Sequence, residues 1–198
     1  MEQVVFDFFA KVIRFVTVPP IVVSAELLLL LLFADIFPQM LDFWLALFCL
    51  AVVPCLAYPL QKLVPSWRKK GQKMQRKLAF ILSPLGYTAA VICSILRDAI
   101  PNLLYVSVVY LLSVVVLTAV NKLTPWHASG HGCVLCGSVF LPCLFMGGIA
   151  LIPGAIFFAA AFWASVYLKR HTVREFLLGA CCSALSAFLC YFFIHPTF

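Results

Sequence analysis

This chain is poor in charge. Lys, Arg, Asp and Glu make up 11% of its 198 residues and the acids number only 7, against 65% hydrophobic residues. So little charge excludes a soluble domain of this size, whose surface would be left apolar and aggregation-prone. The composition is that of a chain that lives in a bilayer. Internal repeats, low-complexity linkers and any polar stretch long enough for a soluble domain are also missing, which excludes repeat arrays and tethered modules. The first apolar run is interrupted by Asp7, Lys11 and Arg14 and is closed by no small-residue cleavage site, so no cleavable signal peptide is expected. The 9 cysteines lie mostly inside apolar runs, where they act as small hydrophobes, and their scatter excludes a secreted disulfide framework.

What is present is a series of apolar runs, and they predict an all-α polytopic membrane bundle. Residues 4–18 mix basic and apolar groups at helical spacing and read as an interfacial helix ending at Pro19-Pro20. Spans are expected at about 21–37, 41–63, 78–96, 103–120, from the 121–136 stretch to near 152, at 155–168 after a turn at Pro153-Gly154, and at 175–194. Residues 1–40 then form an N-terminal part, and 41–198 a six-helix core. Glu26 is a lone acid among leucines, read as a pairing or snorkelling residue. Pro54 and Pro59 are expected to kink their span. The charge run Trp67–Lys77 is expected to anchor topology rather than to bind nucleic acid. Alternating the spans puts every Lys and Arg except Arg97, of the 14 in the chain, on one side. The positive-inside rule makes that side cytoplasmic, in an inner membrane or an endomembrane.

Two polar stretches fall on that same side, 121–136 and 169–175. In the first, Ser129-Gly130-His131 opens a span, and a helix start offers free amides and a positive dipole end to a phosphate. An incidental serine N-cap is the alternative there. In the second, His171 is surrounded by Lys169, Arg170 and Arg174, with Glu175 one helical turn on and within reach of an imidazole nitrogen. A carboxylate on one ring nitrogen fixes the tautomer and leaves the other nitrogen as a nucleophile.

These stretches resemble the second and third motifs of the type 2 phosphatidic acid phosphatase superfamily, integral-membrane lipid phosphatases. The family's Pro-Ser-Gly-His is matched by Ala128-Ser129-Gly130-His131. Its Ser-Arg, five residues, His, three residues, Asp is matched by Ala164-Ser165, Val166 to Arg170, His171, Thr172 to Arg174 and Glu175. The similarity covers roughly Lys122 to Ala180. Its first motif, Lys, six residues, Arg-Pro, has no counterpart before Ser129. Lys122 and Pro125 have the wrong spacing, Trp126-His127 is similar to a divergent subgroup, and Arg76 with Ser83-Pro84 lies two spans too early. Ser165 stands where the family has a phosphate-binding arginine. The resemblance implies a six-helix core and a lipid phosphate or diphosphate as substrate. It also implies catalytic His171, His131 and Glu175, and a phosphate held by Ser129 and Gly130 with Lys122, His127 or Arg170 replacing the lost cations. It calls for no cofactor and no metal.

His127, His131, Cys133 and Cys136 offer a zinc-type donor set, but helical spacing turns Cys133 about 200 degrees from His131. A redox Cys133-x-x-Cys136 lacks the thioredoxin-like surroundings it needs. The competing functions are a non-catalytic headgroup-binding or scaffold protein and a lipid phosphotransferase.

Overall fold

A computed structural model describes residues 2–194, leaving aside the side chains of Glu2 and Gln72, and contains helices and no strand among them. The protein is an all-α polytopic membrane bundle. Its helices are α1 (Glu2–Val16), α2 (Pro19–Phe33), α3 (Met40–Leu63, interrupted), α4 (Gly71–Leu96), α5 (Pro101–Leu123), α6 (Gly130–Met146), α7 (Gly148–Tyr167) and α8 (Val173–Ile194). A single turn, Pro65–Arg68, precedes α4. Five helices, α3, α4, α5, α7 and α8, are long and apolar enough to cross a membrane. α1 and α2, bent by 61° at their junction, pass that test together, whereas α6 has 17 residues and falls short of it. Large side chains such as Leu96, Ile149, Ile152 and Phe193 are exposed, as a lipid-facing surface requires.

Proline explains two local features. Pro19 takes the first position of α2, where its missing N–H has no intrahelical partner to lose. Pro54 cannot donate to the Leu50 carbonyl, and the ladder of α3 slips into a π turn over Phe48–Val52, where Val53 N bonds to Phe48 O.

The expected turn at Pro153-Gly154 is corrected by the structure, because α6 ends at Met146 and α7 runs through Pro153. The break is Gly147, at φ 71°, a conformation that side chains disfavour. Gly154 instead lets α7 lie close to α6, since a Cβ there would meet Val139 at 2.7 Å.

Of the two readings of Glu26, the structure bears out pairing. Glu26 is buried in mid-bundle and accepts a short hydrogen bond from Tyr110, whose hydroxyl also lies 3.0 Å from Ser138 Oγ. Around it the core gathers Val23, Leu27 and Leu30 of α2, Leu50 of α3, Tyr87 of α4, Val106 and Val109 of α5 and Ala187 of α8. Through α2 the N-terminal pair packs against helices of residues 41–198.

Candidate functional site

The end of α1, the start of α4, the end of α5, the start of α6 and the α7–α8 turn converge at one end of the bundle, around a cavity of about 1160 Å³. Along α5 the lining runs from Lys122 to Val109, so the cavity is about 20 Å deep at about 1.5 Å per residue. Its inner walls include Leu50, Val114, Leu117 and Leu141. Its mouth carries Lys11, Arg14, Arg76, Lys77, Lys122 and Arg170.

The α7–α8 turn fixes His171 through its backbone. Leu168 N bonds to Ala164 O, Lys169 N to Val166 O, and Arg170 N and His171 N to Ser165 O. With Lys169 left-handed at φ 53°, this is a Schellman ending. Thr172 then opens α8 with a capping box, in which Thr172 N donates to Glu175 Oε2 at 2.9 Å and Glu175 N to Thr172 Oγ1 at 3.2 Å. Every amide from Leu168 to Thr172 has an acceptor, so the half-buried imidazole is held on a defined turn.

His131 is placed by equally specific contacts. Asn121 clamps the preceding loop by accepting from Ala128 N and donating to Ala128 O. Ser129 caps α6 by accepting from Gly132 N at 3.2 Å, and Ser129 N donates to Glu175 O at 2.8 Å. A Cβ on Gly132 would lie 2.4 Å from Phe176 O, and one on Gly179 would lie 2.1 Å from Ser129 O. Those two glycines let α6 and α8 touch backbone to backbone, and the contact brings the two histidines together. Their rings are parallel within 8°, with centroids 6.3 Å apart.

Of the residues expected from sequence, Ser129, Gly130, His131, His171 and Glu175 meet at this cavity, and Lys122, His127 and Arg170 line it from exposed positions. Glu175 Oε2 is 4.0 Å from His171 Nδ1, beyond hydrogen-bonding distance, and its nearer partner is the Thr172 amide. Burial, then Arg14, then Arg76 push the His171 pKa below its ordinary value, and Glu175 opposes them. Ser165 is fully buried, its Oγ has no partner among the described residues, and it does not line the cavity. The four zinc-type candidates are not gathered, and no group of three or more His, Cys, Asp or Glu among the described residues could hold a metal.

Arg14 is the residue that sequence reasoning missed. Its Nη1 lies 3.0 Å from His131 Nδ1 and 3.1 Å from Nε2, with Thr17 Oγ1 3.5 Å from the same Nε2. A signal was available in the sequence, since an arginine three residues before a helix-breaking Thr-Val-Pro-Pro is an unusual basic group on a membrane-entry helix. Spacing alone could not say which later helix it would meet. No family model, curated protein or solved structure matches the chain.

Proposed function

We propose that the protein is a membrane phosphatase that removes phosphate from a lipid phosphate or diphosphate through a phosphohistidine, working from the cytoplasmic face. One observation carries this reading: two imidazoles from distant segments lie parallel, with centroids 6.3 Å apart, at the mouth of a basic cavity with apolar walls. Imidazoles that close can both reach one phosphoryl group, as a nucleophile and an acid acting on the same phosphorus must. The resemblance of Ser129-Gly130-His131 and His171 to Glu175 to type 2 phosphatidic acid phosphatases supports the same assignment.

In the proposed reaction His171, with Nδ1 toward Glu175, attacks phosphorus through Nε2. The N–P bond forms as the ester P–O bond breaks, and His131 gives a proton to the leaving lipid alkoxide. Water then attacks the phosphohistidine, His131 takes up its proton, and the N–P bond breaks to release inorganic phosphate. The start of α6, where the amides of Gly130 and His131 have no acceptor among the described residues, favours charge on the equatorial oxygens. The apolar inner walls suit the lipid tail.

Phosphate release from phosphatidate, phosphatidylglycerophosphate and polyprenyl phosphates by the purified protein tests the proposal; release from none of them overturns it. Labelling of a cysteine at position 70 from outside intact cells, in a cysteine-free background, would overturn the orientation. The non-catalytic headgroup-binding reading is favoured by one observation, the engagement of Glu175 in the α8 cap rather than on His171. It predicts headgroup binding without turnover.

A further inference from the structure

Six cationic side chains, Lys11, Arg14, Arg76, Lys77, Lys122 and Arg170, line the cavity with a single carboxylate, Glu175. Most of them are exposed and solvated, but Arg14 is half-buried. The ion pairs among the described residues are Arg97 with Asp42 and His171 with Glu175, and neither involves Arg14. Its recorded side-chain partner is the His131 ring, reached by Nη1 alone, which leaves Nε and Nη2 without a partner among the described residues. An in-plane donor equidistant from both ring nitrogens would overlap the carbon between them. The guanidinium nitrogen therefore stands against the ring face, in line with neither lone pair. A half-buried charge with no acceptor in line and two donors open to the cavity is undercompensated, and an anion in the cavity would compensate it.

We propose that Arg14 is the phosphate-binding cation of this site, standing against His131 and offering its Nε and Nη2 donors to the oxygens of a phosphate monoester. The residue reaches the site from α1, outside the segment that resembles the phosphatases, and stands in for the cation lost at Ser165. α1 is fixed for this task on α7, where Tyr167 donates to Asp7 Oδ1 at 2.9 Å and Phe6 packs edge-on against Trp163 with centroids 6.3 Å apart. Such binding has a chemical consequence. A guanidinium against the ring repels the second positive charge that His131 must carry to act as an acid, and a phosphate dianion held by that guanidinium offsets the repulsion. Two donors of the planar guanidinium suit two phosphate oxygens in a way that a lysine ammonium does not.

The role of Arg14 in catalysis rests on the phosphatase reading, but the anion site does not, and the test separates them. The thermal midpoint of the full-length protein in detergent is measured against inorganic phosphate and against dodecyl phosphate, with chloride at equal ionic strength as control. Both phosphates are expected to raise the midpoint saturably, dodecyl phosphate at lower concentration if the cavity walls take the chain. Arg14→Ala and Arg14→Gln should each weaken both by at least tenfold, and Arg14→Lys by less. Affinities of Arg14→Gln within twofold of wild type overturn the proposal, as does a wild-type protein stabilised by neither phosphate. If Arg14→Ala does not fold, the Gln and Lys variants decide. Phosphate binding through Arg14 without release from any lipid phosphate would refute the phosphatase and leave the anion site standing.

Discussion

The two ends of the bundle treat an arginine in opposite ways. At one end Arg97 Nε meets Asp42 Oδ1 at 2.5 Å and Nη2 meets Gln39 Oε1 at 2.9 Å, so the cation lies among acceptors supplied by the fold. At the other end Arg14 faces an imidazole and no carboxylate, beside a deep cavity. The first arrangement is complete in itself, and the second becomes complete only with an anion from outside. The lesson is that partnering, more than burial or position in the sequence, separates a structural cation from one kept for a ligand.

The comparison would break most severely at the histidines. His171→Ala should abolish phosphate release, because no second nucleophile stands where Nε2 would attack, and His131→Ala should slow it by about a hundredfold to ten-thousandfold, the usual worth of a general acid. Unchanged release in both variants would mean that the unpartnered end is not a catalytic centre.

Next in size is the contrast between the two arginine sites in stability. Asp42→Ala removes the partner of Arg97 and the acceptor that Asp42 Oδ2 offers to Gln39 N at 3.1 Å, so a loss of about 2 kcal/mol is expected. It should appear as a lower melting midpoint with phosphate affinity unchanged. Arg14→Ala should do the reverse, and equal stability losses in the two variants would erase the distinction.

Much of this was legible in the sequence, for identifiable reasons. Apolar runs specify membrane helices because the bilayer allows little else. The shared end of the two polar stretches followed from the basic residues, because alternating spans leave them few arrangements. Helix ends read less well. Proline at 153 signals a break by composition, but the chain broke at Gly147, where backbone freedom and not side-chain type decided. Glu175 was read by its distance along a helix from His171. Thr172, three residues before it, makes Thr-x-x-Glu a capping box, and that local pattern claims the carboxylate first. Arg14 could not be assigned because its partner lies 117 positions away and is chosen by packing.

A smaller effect tests what remains of the Glu175 role. Glu175→Gln keeps the cap, since glutamine fills that position too, so the melting midpoint should barely move. It removes the one influence that holds the His171 pKa up against burial, Arg14 and Arg76. The nucleophile must be neutral, and activity is lost as pH falls through its pKa, so the acid limb of the pH–rate profile should move to lower pH in this variant. An unmoved limb would show that the carboxylate, at 4.0 Å, does not act on the ring. Glu175→Asp, which keeps the charge, should keep the limb nearer to that of wild type.

The smallest expected change is at Lys169, a non-glycine residue at φ 53° where the left-handed conformation costs about 1 kcal/mol. Lys169→Gly should raise the melting midpoint slightly and leave phosphate release as it was. A drop in release would mean that the lysine side chain also serves the cavity mouth.

The backbone contact between α6 and α8 also has a use in tracing ancestry. Because a methyl group at Gly132 or Gly179 would collide with a carbonyl of the facing helix, the histidine pair can be assembled this way only by chains with glycine at both places. Those places lie one position after His131 and eight after His171. A search profile built on that four-point spacing, two histidines and two glycines, would retrieve distant kin sharing the crossing even where the cation-bearing motifs have been rewritten, and would pass over bundles that merely carry a Ser-Gly-His.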